Sequence, residues 1–109
     1  MMLVPIDDVV YLRAELKYVT IKTRTREFLT EESLTALEAE FGDRFVRIHR
    51  NALVAKSAVR ALERRVMDSA DSGRGEAAVE TWAVRLAPLN EWLAVSRRQL
   101  AAVREALRR

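Results

Sequence analysis

The six residues Tyr18-Val19-Thr20-Ile21-Lys22-Thr23 decide the fold class of this chain. In this stretch Val19, Ile21 and Thr23 alternate with Tyr18, Thr20 and Lys22. A period of two places alternate side chains on opposite faces of an extended backbone, and β-branched residues are favoured there. The stretch therefore predicts a β-strand with one buried face.

Short apolar runs on both sides of this strand predict more strands rather than long helices. Val9 to Leu12 is the first run, and Glu27 to Leu29 is the piece that would complete a hairpin whose turn lies near residues 24–26. Further strands are predicted in the following places: a strand, loop and strand within 45–59, then 58–62 followed by Arg64-Arg65, then 81–86 and 92–95. Turn formers fill 68–75 and 88–91, so both segments are predicted to be loops. The fold class is mainly β.

Two segments carry helical signals instead. In the first, Thr30 is expected to cap the helix, Glu31 and Glu32 would favour its N-terminal end, and Gly42 would end it. Leu34, Leu37 and Phe41 would form its buried stripe.

The second helix is predicted at the end of the chain, where Leu100, Val103 and Leu107 share one face. Ser96 and Gln99 have the spacing of a capping box. Arg97 and Arg98 would then lie in the first turn, beside free backbone N–H groups that suit an anion.

Composition restricts the function. The 109 residues, half of them apolar, fit one domain spanning 1–109. No apolar run approaches the roughly 20 residues of a membrane helix and no leader is visible, so we expect a soluble, cytoplasmic protein without a membrane role. With no cysteine and one histidine, His49, we expect no metal, no cofactor and no catalytic residues, and therefore no enzyme.

Charge is distributed unevenly along the chain. Residues 1–43 hold five Lys/Arg against nine Asp/Glu, whereas 44–109 hold fourteen against seven. The basic half is where an anionic partner is expected, and its arginines suit planar contacts to phosphate and guanine. Composition alone leaves open whether these arginines bind nucleic acid or are simply solvated.

Four separated segments, in order, carry a family resemblance. They are Val4-Pro5-Ile6-Asp7-Asp8-Val9-Val10-Tyr11-Leu12-Arg13-Ala14-Glu15 with Lys17-Tyr18-Val19, then Ser33-Leu34 with Leu37-Glu38, then Phe45-Val46-Arg47-Ile48-His49-Arg50-Asn51, and Val95-Ser96-Arg97-Arg98. Together they resemble the LytTR DNA-binding domain, particularly the AlgR-like branch of response regulators, from about Val4 to Val103.

The resemblance implies an elongated arrangement of mostly antiparallel short strands with two small helices. It also implies sequence-specific binding to duplex DNA, as the output domain of a bacterial transcriptional response regulator in a two-component system. In that family, loops enter successive major grooves and a homodimer binds direct repeats in promoters. A receiver domain would be a further part of the full-length protein and is absent from this chain.

Carried over residue by residue, the resemblance assigns base contacts to Lys17, Arg50 and Arg98. His49, Asn51 and Arg97 follow as secondary contacts. Apart from the resemblance, Lys22 and Arg24 either contact phosphate or simply keep a sheet edge soluble and unpaired. Where the family usually has Ser-Tyr after its His-Arg pair, this chain has Asn51-Ala52. The alternative function is a protein-protein interaction module, in which the acidic first helix and the sheet edges bind a partner chain without specific DNA binding.

Overall fold

The computed structural model describes residues 5–67, 79–88 and 90–108, which form two antiparallel sheets and two α-helices. The first sheet has the order β3-β2-β1-β5-β4 and is built from β1 (Val9–Glu15), β2 (Tyr18–Thr23), β3 (Glu27–Thr30), β4 (Phe45–His49) and β5 (Ala52–Ala55). The second has the order β6-β7-β8 and contains β6 (Val59–Met67), β7 (Val79–Leu86) and β8 (Glu91–Val95). The helices are α1 (Leu34–Phe41) and α2 (Arg97–Leu107). The predicted fold class, mostly antiparallel strands with two helices, is confirmed.

Strand β2 has the one buried face that its alternation predicts, since Val19, Ile21 and Thr23 are all buried. The turn to β3 contains no glycine because Thr23 supplies the bonds that hold it. The Thr23 hydroxyl accepts the backbone N–H of Arg26 at 2.9 Å and donates to the Arg26 carbonyl at 3.1 Å. A side-chain oxygen that bonds the backbone a few residues away mimics a backbone turn.

Helix α1 begins later than the sequence suggested. Its N-cap is Ser33, whose hydroxyl accepts the N–H of Ala36 at 3.0 Å, so the prediction of a Thr30 cap was wrong. Thr30 is the last residue of β3 and pairs with Val19 across the sheet, which leaves Glu31 and Glu32 ahead of the helix. The predicted end is confirmed, because Gly42 follows α1 with a φ of 70° that favours glycine.

Strand β6 is longer than predicted and includes Arg64 and Arg65, which were expected to follow it. Arg64 lies opposite Trp82 on β7 and its guanidinium contacts Glu80 at 3.0 Å. The Arg65 guanidinium stacks 4.1 Å from the ring centroid of Trp92. Cross-strand partners thus keep two charged residues in a strand that lacks apolar alternation there. The predicted loop at 68–75 lies outside the described residues.

Strand β4 is where the layers of the molecule meet. Both helices, β5 and β8 all pack against it. Ile48, in a bulge of this strand, is fully buried, and its carbonyl accepts the N–H of Ser96 at 2.9 Å. The largest fully buried side chains among the described residues are Leu12, Ile48, Leu53, Leu86, Val54, Val84, Val95 and Val103, and all belong to one core cluster. One continuous core therefore joins the two sheets to α2.

A buried phenol provides a polar link between the sheets. The Tyr11 hydroxyl on β1 donates to the Glu91 carboxylate at the start of β8, at 3.1 Å. Burial, with the nearby Glu91 charge as the second cause, raises the pKa of Tyr11 to about 12. The phenol therefore keeps its proton and remains the donor in this bond.

The position of Ile48 leads to a stability prediction. Ile48→Ala should lower the free energy of unfolding by about 2–5 kcal/mol, because it removes apolar contact and leaves a cavity between β4 and α2. Urea denaturation measures the loss. Leu29→Ala removes the same number of carbon atoms from a side chain that is 64% exposed, and should cost well under about 1 kcal/mol. Equal losses from the two variants would contradict the central role of β4.

Candidate nucleic-acid interface

The first segment of the candidate interface is the turn between β1 and β2. Glu15 pairs with Tyr18, which leaves Leu16 and Lys17 as the two residues of the turn. Both are exposed. Glu15, at the base of the turn, contacts Arg13 at 3.4 Å. Lys17 is thus presented to solvent at the tip of a hairpin.

The second segment is the turn between β4 and β5, formed by Arg50 and Asn51. Arg47 holds this turn from below, because its guanidinium donates to the Arg50 carbonyl at 2.6 Å. Arg47 is itself fixed on α1 by the Glu38 carboxylate at 2.8 and 3.2 Å. Its side chain is only 18% exposed. Arg47 therefore shapes the turn, while Arg50 points into solvent.

His49 contributes to the same turn through its ring. The Asn51 backbone N–H donates to Nδ1 of His49 at 3.2 Å. Burial, followed by the charge of Arg50, lowers the pKa of His49 below its usual range. The imidazole is therefore neutral at pH 7, with Nδ1 as acceptor and the proton on Nε2. The His49 ring therefore holds the turn through Nδ1. Its Nε2–H is a hydrogen-bond donor.

A backbone bond joins these two turns. The Ala14 N–H, next to the first hairpin tip, donates to the Asn51 carbonyl at 2.8 Å. Arg13 also pairs with Ala52 across β1 and β5. Lys17 and Arg50 are therefore presented at the same end of the five-stranded sheet.

The start of α2 is the third segment. The Ser96 hydroxyl accepts the N–H of Gln99 at 3.3 Å, so the predicted cap is present. The capping box is half formed, because the N–H of Ser96 donates to the Ile48 carbonyl instead of to Gln99. This bond places the first turn of α2 beside the end of β4, one residue from His49. Arg97 and Arg98 are exposed there.

Six of the eight predicted site residues are brought to this end of the molecule, which we call the basic tip: Lys17, His49, Arg50, Asn51, Arg97 and Arg98. Across residues 5–67, 79–88 and 90–108, no carboxylate lies within 4 Å of its four cationic nitrogen groups. A set of uncompensated cations on three adjoining segments attracts a polyanion.

The other two predicted residues, Lys22 and Arg24, lie at the opposite end of the hairpin. Arg24 lies six positions after Tyr18 in extended chain, so the two residues are about 20 Å apart. Lys22 contacts Glu27 at 3.0 Å, and Arg24 contacts Asp8 at 2.6 Å. The structure does not bring these two residues to the basic tip, and any contact they make would fall on a different part of a ligand.

Arg47 has a structural role that its sequence context does not reveal. Its position in an alternating strand gave no sign that it would bond a carbonyl three residues later. The acidic Glu38 on the preceding helix was the available signal, but pairing the two requires knowing how α1 packs on β4.

The described residues contain no group of three or more potential metal-binding side chains. Among the helices described, none has the length and apolar character needed to cross a bilayer.

Comparisons with known proteins agree with the fold. A family model described as the LytTr DNA-binding domain matches residues 1–108. The Positive alginate biosynthesis regulatory protein of Pseudomonas aeruginosa is 52% identical over 62 residues, which are 57% of this chain and 25% of that protein. The chain therefore spans about a quarter of the length of this relative.

A solved structure, the LytTr DNA-binding domain of a putative methyl-accepting/DNA response regulator from Bacillus cereus, has a TM-score of 0.73. The match covers 95% of this chain and 84% of that one at 22% identity. At that identity the similarity shows the fold, which is the arrangement of mostly antiparallel strands with two helices that the family resemblance implied.

The bonds of Arg47 predict a specific loss of stability. Arg47→Lys keeps the charge but cannot make the forked contacts to Glu38 and the Arg50 carbonyl. We expect the free energy of unfolding to fall by about 1–3 kcal/mol, measured by urea denaturation. The control is Arg64→Lys, whose ion pair with Glu80 is exposed on both sides and should cost at most about 0.5 kcal/mol. Losses of the same size would show that Arg47 does not hold the turn.

The lowered pKa of His49 predicts a pH dependence. The unfolded chain, with a His pKa of about 6.5, binds a proton more readily than the folded one. Stability from His49 is therefore complete above about pH 6.5 and is lost as the pH falls toward the lower folded pKa. His49→Asn keeps an acceptor near Nδ1 and removes the titration. Urea denaturation at pH 7.5 and 5.5 should give a smaller pH dependence for the variant, and identical dependences would contradict the assignment.

Proposed function

The chain belongs to the LytTr DNA-binding domain family, and on that premise we propose that it binds a specific sequence of double-stranded DNA. The observation that carries the proposal is the basic tip, where Lys17, Arg50, Arg97 and Arg98 are exposed on three bonded segments. Two of these segments are tight turns, and the third is a helix start. Narrow projections of this kind fit a major groove about 12 Å wide.

In this proposal Lys17, Arg50 and Arg98 contact base edges. Arg50 and Arg98 each present a planar fork that can bond both acceptors of a guanine. Arg97 lies at the free N–H groups of α2, where a phosphate is favoured. Asn51 and the Nε2–H of His49 are secondary donors. Lys22 and Arg24, at the other end of the hairpin, would contact phosphates away from the tip.

We further propose that the domain is the output part of a transcriptional response regulator. Two copies would bind neighbouring direct repeats, and a receiver domain in the full-length protein would change the population of paired copies. Pairing raises the effective concentration of the second domain at its repeat, so a modest change in pairing alters occupancy strongly. The relative from Pseudomonas aeruginosa, a regulatory protein by its name and four times the matched length, supports a regulatory role within a longer protein.

A selection of genomic DNA fragments with the purified chain, at two salt concentrations, tests the proposal. We expect enrichment of a repeated motif and a fall of log affinity with log salt of roughly 0.9 for each phosphate contact. Arg98→Ala should cost about 1–3 kcal/mol and relax the preference at one base pair. Arg24→Ala removes the same charge far from the tip, and the loss of a phosphate contact should weaken binding to all sequences alike.

The outcomes separate specific reading from simple charge attraction. Salt-sensitive binding without a motif would reduce the tip to a nonspecific cation patch. A uniform loss from Arg98→Ala would contradict its role in reading a base. A partner protein that remains bound when Lys17, Arg50 and Arg98 are all changed to alanine, together with no DNA binding, would support the interaction module instead.

A further inference from the structure

Leu16, beside Lys17 in the β1–β2 turn, is the most exposed large apolar residue among those described, with a relative exposure of 107%. It takes no part in the hydrophobic core or its partly buried margin. The other exposed large apolar side chains of the described residues, Tyr18, Leu29 and Val66, all lie on strands. Leu16 differs from them because it stands at the tip of a hairpin, free of sheet neighbours.

The fold has no evident need for leucine at this position. Among the described non-glycine residues a positive φ occurs at Asn90 and not at Leu16 or Lys17, so the turn can hold ordinary polar residues. Turns are usually built from Gly, Asn, Asp, Ser and Pro. Leucine gains its stabilising effect from burial, and here it has none. A bound partner would supply the burial that Leu16 lacks in the folded chain.

The surroundings of Leu16 point to the chemistry of that partner. Lys17 follows it directly, and the Ala14–Asn51 bond brings Arg50 to the same end. Cations without carboxylate partners favour a polyanion over an apolar protein surface. In the major groove of DNA, the apolar group available to an aliphatic side chain is the C5 methyl of thymine.

Resting on the proposed function, we propose that Leu16 packs against a thymine methyl and adds a thymine preference to the sequence read by the basic tip. Lys17 and Leu16 then read neighbouring base edges from one turn. The lysine supplies a donor and the leucine supplies a van der Waals surface. Because the contact is apolar, it is insensitive to salt, unlike the contacts of the four cations.

Replacing thymine by uracil in the selected duplex tests this contact atom by atom. Uracil has the same hydrogen-bonding edge and lacks only the methyl. Each thymine of the site is replaced in turn, and affinity is measured for the unaltered chain and for Leu16→Ala. One replacement should weaken the unaltered chain by about fourfold, the size expected for burial of one methyl group. Leu16→Ala should be weakened by at least that much on the thymine duplex and should not distinguish uracil from thymine.

A cycle of the two changes isolates the contact, because their effects should not add. Leu29→Ala removes an exposed leucine from the edge strand β3 and should match the unaltered chain on both duplexes. Lys17→Ala should weaken binding to both duplexes while keeping the difference between them. Unchanged thermal denaturation of Leu16→Ala shows that its fold is intact, as the exposure of this residue leads us to expect.

Several results would overturn the inference. If uracil weakens both the unaltered chain and Leu16→Ala equally, another residue contacts the methyl. If neither change affects affinity while Arg98→Ala still relaxes one base pair, DNA reading stands and the role of Leu16 falls alone. If Leu16→Ala loses a protein partner and keeps its DNA preference, the tip leucine is a protein contact. If no duplex is selected at all, the inference falls together with the proposed function.

Discussion

The burial of β4 is the constraint on which the rest of the structure depends. This strand is outermost in the order of its sheet, and an exposed outer strand offers unpaired backbone groups to other chains. Here α1, α2 and β8 pack on it, and the Ser96 N–H bonds the Ile48 carbonyl. The bulge at Ile48 turns this residue fully into the core. A strand that would otherwise be an edge thus becomes the junction of both sheets and both helices.

The same junction positions the basic tip. The turn carrying Arg50 follows β4 directly, and the first turn of α2 is tied to β4 through Ser96. Arg47 extends the junction to α1, since it bonds Glu38 on one side and the Arg50 carbonyl on the other. The candidate binding residues on turns are thereby held by buried, regular elements, which reduces the ordering that binding would require. The same contacts of β4 therefore stabilise the core and fix the geometry of the candidate interface.

Local patterns in the sequence predicted local structure well. The alternation of 18–23 gave β2 its buried face, and Ser96 with Gln99 marked the start of α2, because both signals depend on neighbouring residues alone. Predictions were wrong where contacts with residues distant in the sequence determine the local structure. Thr30 and Ser33 are equally good caps by composition, and the pairing of Thr30 with Val19 in the sheet leaves the helix to Ser33. Strand β6 continues through Arg64 because β7 and Glu80 accompany it.

For the candidate site, the family resemblance selected residues that composition could not, and the fold brings six of the eight together. The structure also shows which charged residues pair with one another, and the number of charges along the sequence cannot show this. The acidic groups Asp7, Asp8 and Glu27 pair with Arg44, Arg24 and Lys22. Three cations distant from the tip are thus paired with carboxylates, whereas Lys17, Arg50, Arg97 and Arg98 have no such partner among the described residues. The net charge of +3 therefore does not describe the local charge at the tip, where four clustered cations favour an anionic partner.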